Sequence, residues 1–138
     1  MLAGALAGCS GPPAPAALAV DDEGGALLLV AGTFSRTCEE ATSILFECGR
    51  WELFVHVEAA AQTPGARPLA SPDVWAQSFM SDGRYDAQDC SLWGGTFEQG
   101  TIDITGVDDA VVSFTIDGTA SGNFDADGSY DAVRCQGP

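Results

Sequence analysis

The amino-acid sequence predicts an all-β protein, mainly antiparallel, that forms a small β-sandwich or a barrel-like meander with two disulfides and at most one short helix. Three observations support this prediction. Over residues 90–135 apolar and polar residues alternate, as they do in half-buried strands. Turns that contain Gly or Asp interrupt the alternation at short intervals. The hydrophobic share of 46% is that of a globular protein with a core, not of a disordered chain.

The charge of the chain is strongly negative and narrows the choice of partners. Its 138 residues suit one domain, and 20 acidic residues against 5 arginines give a formal net charge of -15. Phosphate backbones would be repelled, so we expect no nucleic-acid partner. An anionic membrane surface is disfavoured for the same reason, whereas cations and basic partners are allowed.

The cysteines predict disulfides and not a zinc site. None of the five belongs to a CxxC pair, and His56 is the only histidine, so the usual zinc-ligand spacings are absent. The four cysteines of the globular part predict two disulfides, whose pairing the sequence leaves open. These four are Cys38, Cys48, Cys90 and Cys135. The fifth, Cys9, lies near the start of the chain and is not part of the predicted disulfides.

The start of the chain carries a resemblance to a known class of protein. Residues 1–8 are small and apolar, and Leu6-Ala7-Gly8-Cys9 resembles the lipobox of bacterial lipoproteins. In that family the cysteine carries a diacylglycerol, which implies that Cys9 is the lipid anchor and that the membrane is a partner through it. By the same resemblance, Ser10 after the cysteine implies delivery to the outer membrane. No basic residue precedes the apolar run, so we interpret residues 1–8 as a signal-peptide remnant, truncated by a start codon assigned too far downstream.

This interpretation divides the chain into three parts. Residues 1–8 are the signal-peptide remnant, residues 9–25 are the lipidated cysteine with a flexible linker, and residues 26–138 are a single β domain. The linker prediction depends on the Pro, Ala and Gly content and on the acidic residues at 21–23. No segment approaches the roughly 18 apolar residues that a transmembrane helix requires.

The first elements of the predicted domain differ in clarity. Residues 26–35 are a continuous apolar run, typical of a central strand covered on both faces. Residues 37–48 fit either a short helix that begins after Thr37 or a loop with a short strand at 43–46. Residues 51–58 alternate cleanly and predict a strand whose core face is Trp51, Leu53, Val55 and Val57.

The opposite face of that strand contains His56, with a glutamate toward each end of the strand. This face has two possible interpretations. It could be a site for metal binding or proton transfer, or it could be a solvated strand face. Residues 59–72 contain three prolines and predict a loop, and residues 73–80 fit a strand or one or two helical turns.

The last part of the chain predicts four strands in an up-and-down arrangement. Residues 91–97 and 101–105 form a predicted hairpin, a third strand begins at residue 110, and residues 129–135 form the fourth. In the third strand Val112, Phe114 and Ile116 share one face. Such a sheet brings Cys90 and Cys135 to the same end, so we predict that they pair, and by default that Cys38 pairs with Cys48. Other pairings stay open.

Residues 123–131 resemble the first nine positions of an EF-hand-type calcium loop. The resemblance implies that calcium would bind the side chains of the residues at positions 1, 3, 5 and 9 and the carbonyl at position 7. These are Asn123, Asp125, Asp127 and Asp131, with the carbonyl of Ser129. Arg134 replaces the glutamate of position 12, and strands rather than helices flank the segment. The alternative is a hairpin whose Asp and Gly residues serve the turn.

These features favour a lipid-anchored protein of the bacterial cell envelope that acts as a structural or binding module and is not an enzyme. A calcium-binding β domain is one alternative, and a hydrolase that uses paired carboxylates is another. Nucleophilic catalysis is not predicted, because there is one histidine and no GxSxG motif. Three tryptophans could line a ligand groove or pack against the core: Trp51, Trp75 and Trp93.

Overall fold

The computed structural model describes residues 14–34, 36–43, 47–82, 89–122 and 124–135. In this part of the chain nine strands form one curled mixed sheet, and three short 3-10 turns are the only helical elements. The all-β, mainly antiparallel prediction is confirmed, with one sheet in place of two stacked ones. The strands are β1 (Ala16–Asp21), β2 (Leu27–Gly32), β3 (Trp51–Val57), β4 (Gly65–Pro68), β5 (Val74–Ser81), β6 (Leu92–Phe97), β7 (Thr101–Val107), β8 (Val111–Asp117) and β9 (Gly128–Cys135).

The strand order is β4-β7-β8-β9-β1-β2-β3-β5-β6. All neighbours are antiparallel except β1 and β9, which run parallel. The predicted central strand is β2, which lies between β1 and β3 and is buried on both faces over most of its length.

A short connection shows how strongly the sheet curls. Residues 98–100 join β6, at one edge, to β7, which is next to β4 at the other edge. An extended chain advances at most about 3.6 Å per residue, so the two strand ends lie within about 14 Å of each other. The two edges therefore approach each other at the end where β6 leads into β7. At this seam the Leu69 N–H donates to the Gly100 carbonyl at 3.0 Å.

The core lies inside the curl. The side chains of Leu53, Val55 and Val57 are fully buried there, and Trp51 packs edge-on against Phe124 with ring centroids 5.3 Å apart. The predicted core face of β3 is confirmed. From the other half of the sheet β8 supplies the predicted row Val112, Phe114 and Ile116, each about 1% exposed or less.

The linker prediction is wrong for the segment that forms β1. This strand is hydrogen-bonded between β2 and β9 and buries Ala19 in the core. The predicted domain boundary at residue 26 depends on the acidic residues 21–23. Asp21 is the last residue of β1 and Asp22 follows it, so these acidic residues mark the end of a strand and not a linker. The apolar sequence Ala-Ala-Leu-Ala-Val forms an inner strand of the sheet, hydrogen-bonded to β2 on one side and to β9 on the other.

The predicted hairpin between β6 and β7 is also wrong, and with it the disulfide pairing. The two strands exist, but β6 pairs with β5 and β7 pairs with β4 and β8. Cys90 precedes β6 at the edge of the sheet, and four strands separate β6 from β9, which ends at Cys135. The predicted meander had placed these two cysteines at the same end of one small sheet. The disulfides join Cys38 to Cys135 and Cys48 to Cys90, with Cα atoms 5.4 and 5.7 Å apart.

The ambiguous segment after β2 contains one 3-10 turn, Cys38–Glu40, instead of a longer helix. The Glu40 carboxylate accepts hydrogen bonds from the backbone N–H and the hydroxyl of Thr37, at 3.3 and 3.1 Å. Residues 44–46, most of the alternative strand, lie outside the described residues.

Candidate functional site

A pocket of about 280 Å³ lies on the outer face of the sheet, the face opposite the core, over β2, β3 and β5. Alternation places Leu28 of β2 and the outward residues of β3 and β5 along it. The strand registers align the outward residues in three rows across the sheet. The rows are Leu28-His56-Trp75, Val30-Phe54-Gln77 and Gly32-Glu52-Phe79.

Aromatic rings form most of the apolar wall of the pocket. Phe54 and Phe79 meet edge to face with centroids 5.3 Å apart, and Phe34 and Trp75 also line the space. Edge-to-face contacts of this kind contribute beyond the apolar area that they bury. The outer face of β3, for which the sequence allowed a solvated surface, is therefore the floor of a pocket.

A buried ion pair lies in the pocket wall. The Arg36 guanidinium donates to both carboxylate oxygens of Glu52, from Nε at 2.6 Å and from Nη2 at 2.8 Å, and both side chains are at most 5% exposed. Its Nη1 donates to the carbonyls of Glu40 and Ser43, and its centre is 5.4 Å from the Phe54 ring centroid. Arg36 thus ties the loop after β2 to the floor of the pocket. Bidentate geometry and further hydrogen bonds are what a buried charge pair needs to persist.

Two glycines make room for the large side chains of the third row. A Cβ at Gly32 would overlap the Trp51 carbonyl and lie 2.7 Å from the Glu52 side chain. A Cβ at Gly94, on β6, would lie 2.5 Å from the Phe79 ring. Glu52 and Phe79 can therefore lie flat across the neighbouring strands, which leaves the space above them open.

His56 and Trp75 form the opposite end of the floor. They are direct cross-strand partners and their rings stack, with centroids 4.5 Å apart and an interplanar angle of 12°. His56 Nε2 is 3.0 Å from Glu58 Oε2, and Nδ1 is 3.8 Å from Asp22 Oδ2. Within the described residues no group of three or more His, Cys, Asp or Glu side chains could hold a metal ion. His56 contributes a flat, polar ring to the floor of the pocket.

The described residues 36–43, which we call the cover segment, lie over the outer face of the sheet. Thr42 and Ser43 line the pocket from this side, opposite the strands. Arg36 attaches the segment to Glu52, and Cys38 attaches it to Cys135 at the end of β9. One disulfide and one buried ion pair thus fix this wall of the pocket.

Three described residues of the predicted calcium loop, Asp127, Ser129 and Asp131, make hydrogen-bond contacts with other parts of the chain. Asn123 lies outside the described residues. Asp131 accepts a hydrogen bond from the Ser113 hydroxyl at 2.6 Å, and the Ser129 hydroxyl is 3.0 Å from that of Thr115, both across the β8–β9 ladder. Ser129 and Asp131 lie in β9, where residues two apart are roughly 6–7 Å apart, unlike the tightly turned chain of a calcium loop.

Asp127 has a structural role in this segment. Its Oδ1 accepts from the backbone N–H of Thr119 at 2.8 Å and from the Thr119 hydroxyl at 2.6 Å, and Thr119 is fully buried. The Thr119 hydroxyl in turn accepts from the Ala126 N–H at 2.9 Å. These contacts favour the alternative interpretation, in which the Asp residues serve the turn.

We expect Asp127→Ala to lower the free energy of unfolding by about 1–3 kcal/mol, because it leaves two buried donors of Thr119 without an acceptor. The loss should be the same with calcium and with chelator. Asp131→Ala is the matched control, since its partner Ser113 can turn to water, and we expect less than about 0.5 kcal/mol. Urea titrations in both buffers measure this. A calcium-dependent loss of similar size in both variants would restore the calcium-loop hypothesis.

The same contacts predict a pH dependence. The hydrogen bonds from the Thr119 hydroxyl and N–H lower the pKa of Asp127 below its ordinary 3.8. This stabilisation is fully present above pH 3.8 and is lost as the pH falls through the lowered pKa. Asp127→Asn should therefore lose less stability than wild type on acidification through this window, measured by thermal melts.

Sequence reasoning found the strands of the site but missed its wall. The Arg36–Glu52 pair joins residues 16 apart, and nothing in the local pattern of either marks the other. Gly32 and Gly94 were the available signal, because glycine inside a strand often marks a close approach.

Cys9 and the lipobox lie outside the described residues, and no helix among the described residues is long and apolar enough to cross a membrane.

No protein-family model, curated protein or solved structure matches this chain at a significant level.

Proposed function

We propose that this protein is a lipid-anchored binding module of the bacterial cell envelope, and that its outer-face pocket holds a small, flat, mainly apolar ligand. The observation that carries the proposal is the pocket itself, about 280 Å³, whose exposed lining is mostly apolar and includes four Phe or Trp rings. Concave, mostly apolar sites with a small number of placed polar groups are typical of small-molecule binding. The size suits a ligand of one or two fused rings.

The polar groups of the pocket support binding more than catalysis. Both oxygens of Glu52 accept from Arg36, and the three guanidinium nitrogens of Arg36 all donate to protein acceptors. This pair shapes the wall and has little capacity left for proton transfer. His56 and Gln77 are the polar side chains of the floor that can contact a ligand.

The charges around the pocket favour a neutral or positively charged ligand. Asp22 lines the rim, and Glu58 is next to His56, with side chains 45% and 47% exposed. The formal net charge of -15 acts in the same direction. An aromatic ring between Trp75 and Phe79, with an amine toward Asp22, would use these groups.

Calorimetric titration with three probes that share one ring tests this proposal: indole, tryptamine and indole-3-acetate. We expect tryptamine to bind at least as well as indole, and indole-3-acetate to bind least. Asp22→Asn keeps an oxygen for the Glu23 N–H, which Asp22 caps at 2.8 Å, and should reduce the preference for tryptamine. Equal affinity for the anion and the cation would contradict the ligand class.

The matched variants are Trp75→Ala, in the pocket wall, and Trp93→Ala, outside it; these tryptophans are 43% and 53% exposed. Trp75→Ala should weaken indole binding by about tenfold, since ring stacking contributes ~0.5–1.5 kcal/mol beyond buried area. Trp93→Ala should leave it unchanged. Equal losses in both variants would argue against this pocket as the site.

The anchor part of the proposal is supported by the lipobox resemblance at Cys9. Two or more acyl chains on this cysteine would make membrane attachment durable. Mass spectrometry of the protein from bacterial membrane fractions should find a diacylglyceryl group on Cys9. An unmodified Cys9 in protein from the soluble fraction would contradict the anchor and leave the pocket proposal to its own test.

A further inference from the structure

We propose that the free edge of β6 binds an extended, basic segment of a partner protein by strand addition. This interaction surface is the backbone edge of β6, next to the outer-face pocket, which Leu92 of β6 also lines. A strand at the edge of a sheet presents backbone N–H and C=O groups that can pair with another chain. Among the described residues only β5 pairs with β6, along six consecutive residues without a bulge.

The two edges of the sheet differ in how they are protected. Edge strands of soluble proteins usually carry charges, proline or bulges that prevent pairing. The opposite edge, β4, follows this rule with Arg67 and Pro68. The sequence of β6, Leu-Trp-Gly-Gly-Thr-Phe, contains neither a charged residue nor proline, and residues 93–96 are exposed. Among the described residues nothing pairs with this edge of β6, so it is available to an added strand.

The inner side of β6 also offers a place for one side chain of the added strand. Trp93, Gly95 and Phe97 alternate onto the same side, and a Cβ built at Gly95 meets nothing within 4 Å. Trp93 is 53% exposed. A large apolar side chain opposite Gly95 would lie between two aromatic rings, which gives the strand addition a register and a preference.

Charge decides what kind of chain fits. Asp82 and Asp89 lie before β6 and Glu98 follows it, so both ends of the edge are acidic. A second copy of this protein would bring the same acids and a further formal charge of -15. A partner segment with basic residues at its ends and an apolar residue at its centre matches the edge in both respects.

The test uses a fluorescent nine-residue peptide, Arg-Thr-Val-Thr-Phe-Thr-Val-Thr-Lys, with the disulfide-bonded protein. We expect saturable binding, about tenfold weaker when Arg and Lys are replaced by Glu. Of the two peptides N-methylated at alternate amides, the one methylated at the amides that face β6 should not bind, because it cannot complete the backbone ladder, and the other should still bind. Hydrogen exchange of residues 92–97 should slow when the parent peptide binds. Unchanged exchange, or binding as tight as that of the parent by both N-methylated peptides, would overturn the proposal.

The protein variants are Gly95→Val and its matched control Gly106→Val on β7, where an added Cβ also meets nothing within 4 Å. Gly95→Val should weaken peptide binding by about tenfold, by filling the space beside Trp93, and Gly106→Val should not. Trp75→Ala should leave peptide binding intact, which separates this surface from the pocket. A concentration-dependent dimer of the wild type that Gly95→Val abolishes would assign the edge to a second copy and overturn the proposal.

Discussion

Glu52→Leu should lower the free energy of unfolding by about 3–5 kcal/mol, because it leaves the buried Arg36 guanidinium without its counter-charge. Arg36 and Glu52 are 5% and 4% exposed, so water cannot replace the missing partner. The double variant Arg36→Met/Glu52→Leu removes both charges and should recover most of this loss, since apolar side chains of similar volume can replace a buried pair. Urea unfolding of Glu52→Leu, of the second single variant Arg36→Met and of the double variant measures the coupling directly.

The control is an exposed ion pair on the same sheet. Arg134 and Asp21 are 2.7 Å apart with side chains 21% and 70% exposed. Asp21→Asn should cost less than about 1 kcal/mol, as is usual for surface pairs. If Glu52→Leu costs no more than Asp21→Asn, the pair is not buried as described. If the double variant loses the sum of the two single losses, the two side chains are not coupled.

Removal of the Cys38–Cys135 disulfide should have a second large effect, on stability and on the pocket together. The bond links residues 97 apart, and in the chain-entropy model a loop of that length contributes about 4–5 kcal/mol, less any strain. Cys38→Ala/Cys135→Ala also frees the cover segment from β9. We therefore expect unfolding at a lower urea concentration and weaker indole binding under conditions where the variant is still folded.

The other disulfide is the matched control for the effect on the pocket. Cys48–Cys90 links residues 42 apart and should contribute about 4 kcal/mol in the same model. It does not attach the cover segment, so Cys48→Ala/Cys90→Ala should lose stability but keep its affinity for indole while folded. Similar loss of indole binding in both double variants would show that the cover segment has no particular role.

The strands were predictable because their signal is local. Period-two alternation in β3 and β8 identified the core residues Leu53, Val55, Phe114 and Ile116 from the sequence alone. The cysteine count correctly predicted two disulfides. These features depend on neighbouring residues or on composition, and the packed structure does not change them.

What failed depends on which distant segments meet. The alternating pattern of β6 and β7 would be the same if the two strands paired with each other. In the structure they pair with different strands, and that pairing decides which cysteine lies next to Cys90. Alternation in β3 likewise shows that Glu52 lies opposite the core, but not that the cover segment buries it. The pocket arises from such a contact, between a loop and a strand face that each look solvent-exposed in the sequence.

The most direct test of the proposed pocket is to map the residues that contact bound indole. In a nitrogen-15 NMR titration with indole, we expect the largest amide shift changes at Phe54, His56 and Gln77, which form the floor of the pocket. Residues of β7, β8 and β9 should change little. Shift changes that are absent at saturating indole, or that cluster on β7–β9, would contradict the claim that this outer-face pocket is a ligand-binding site.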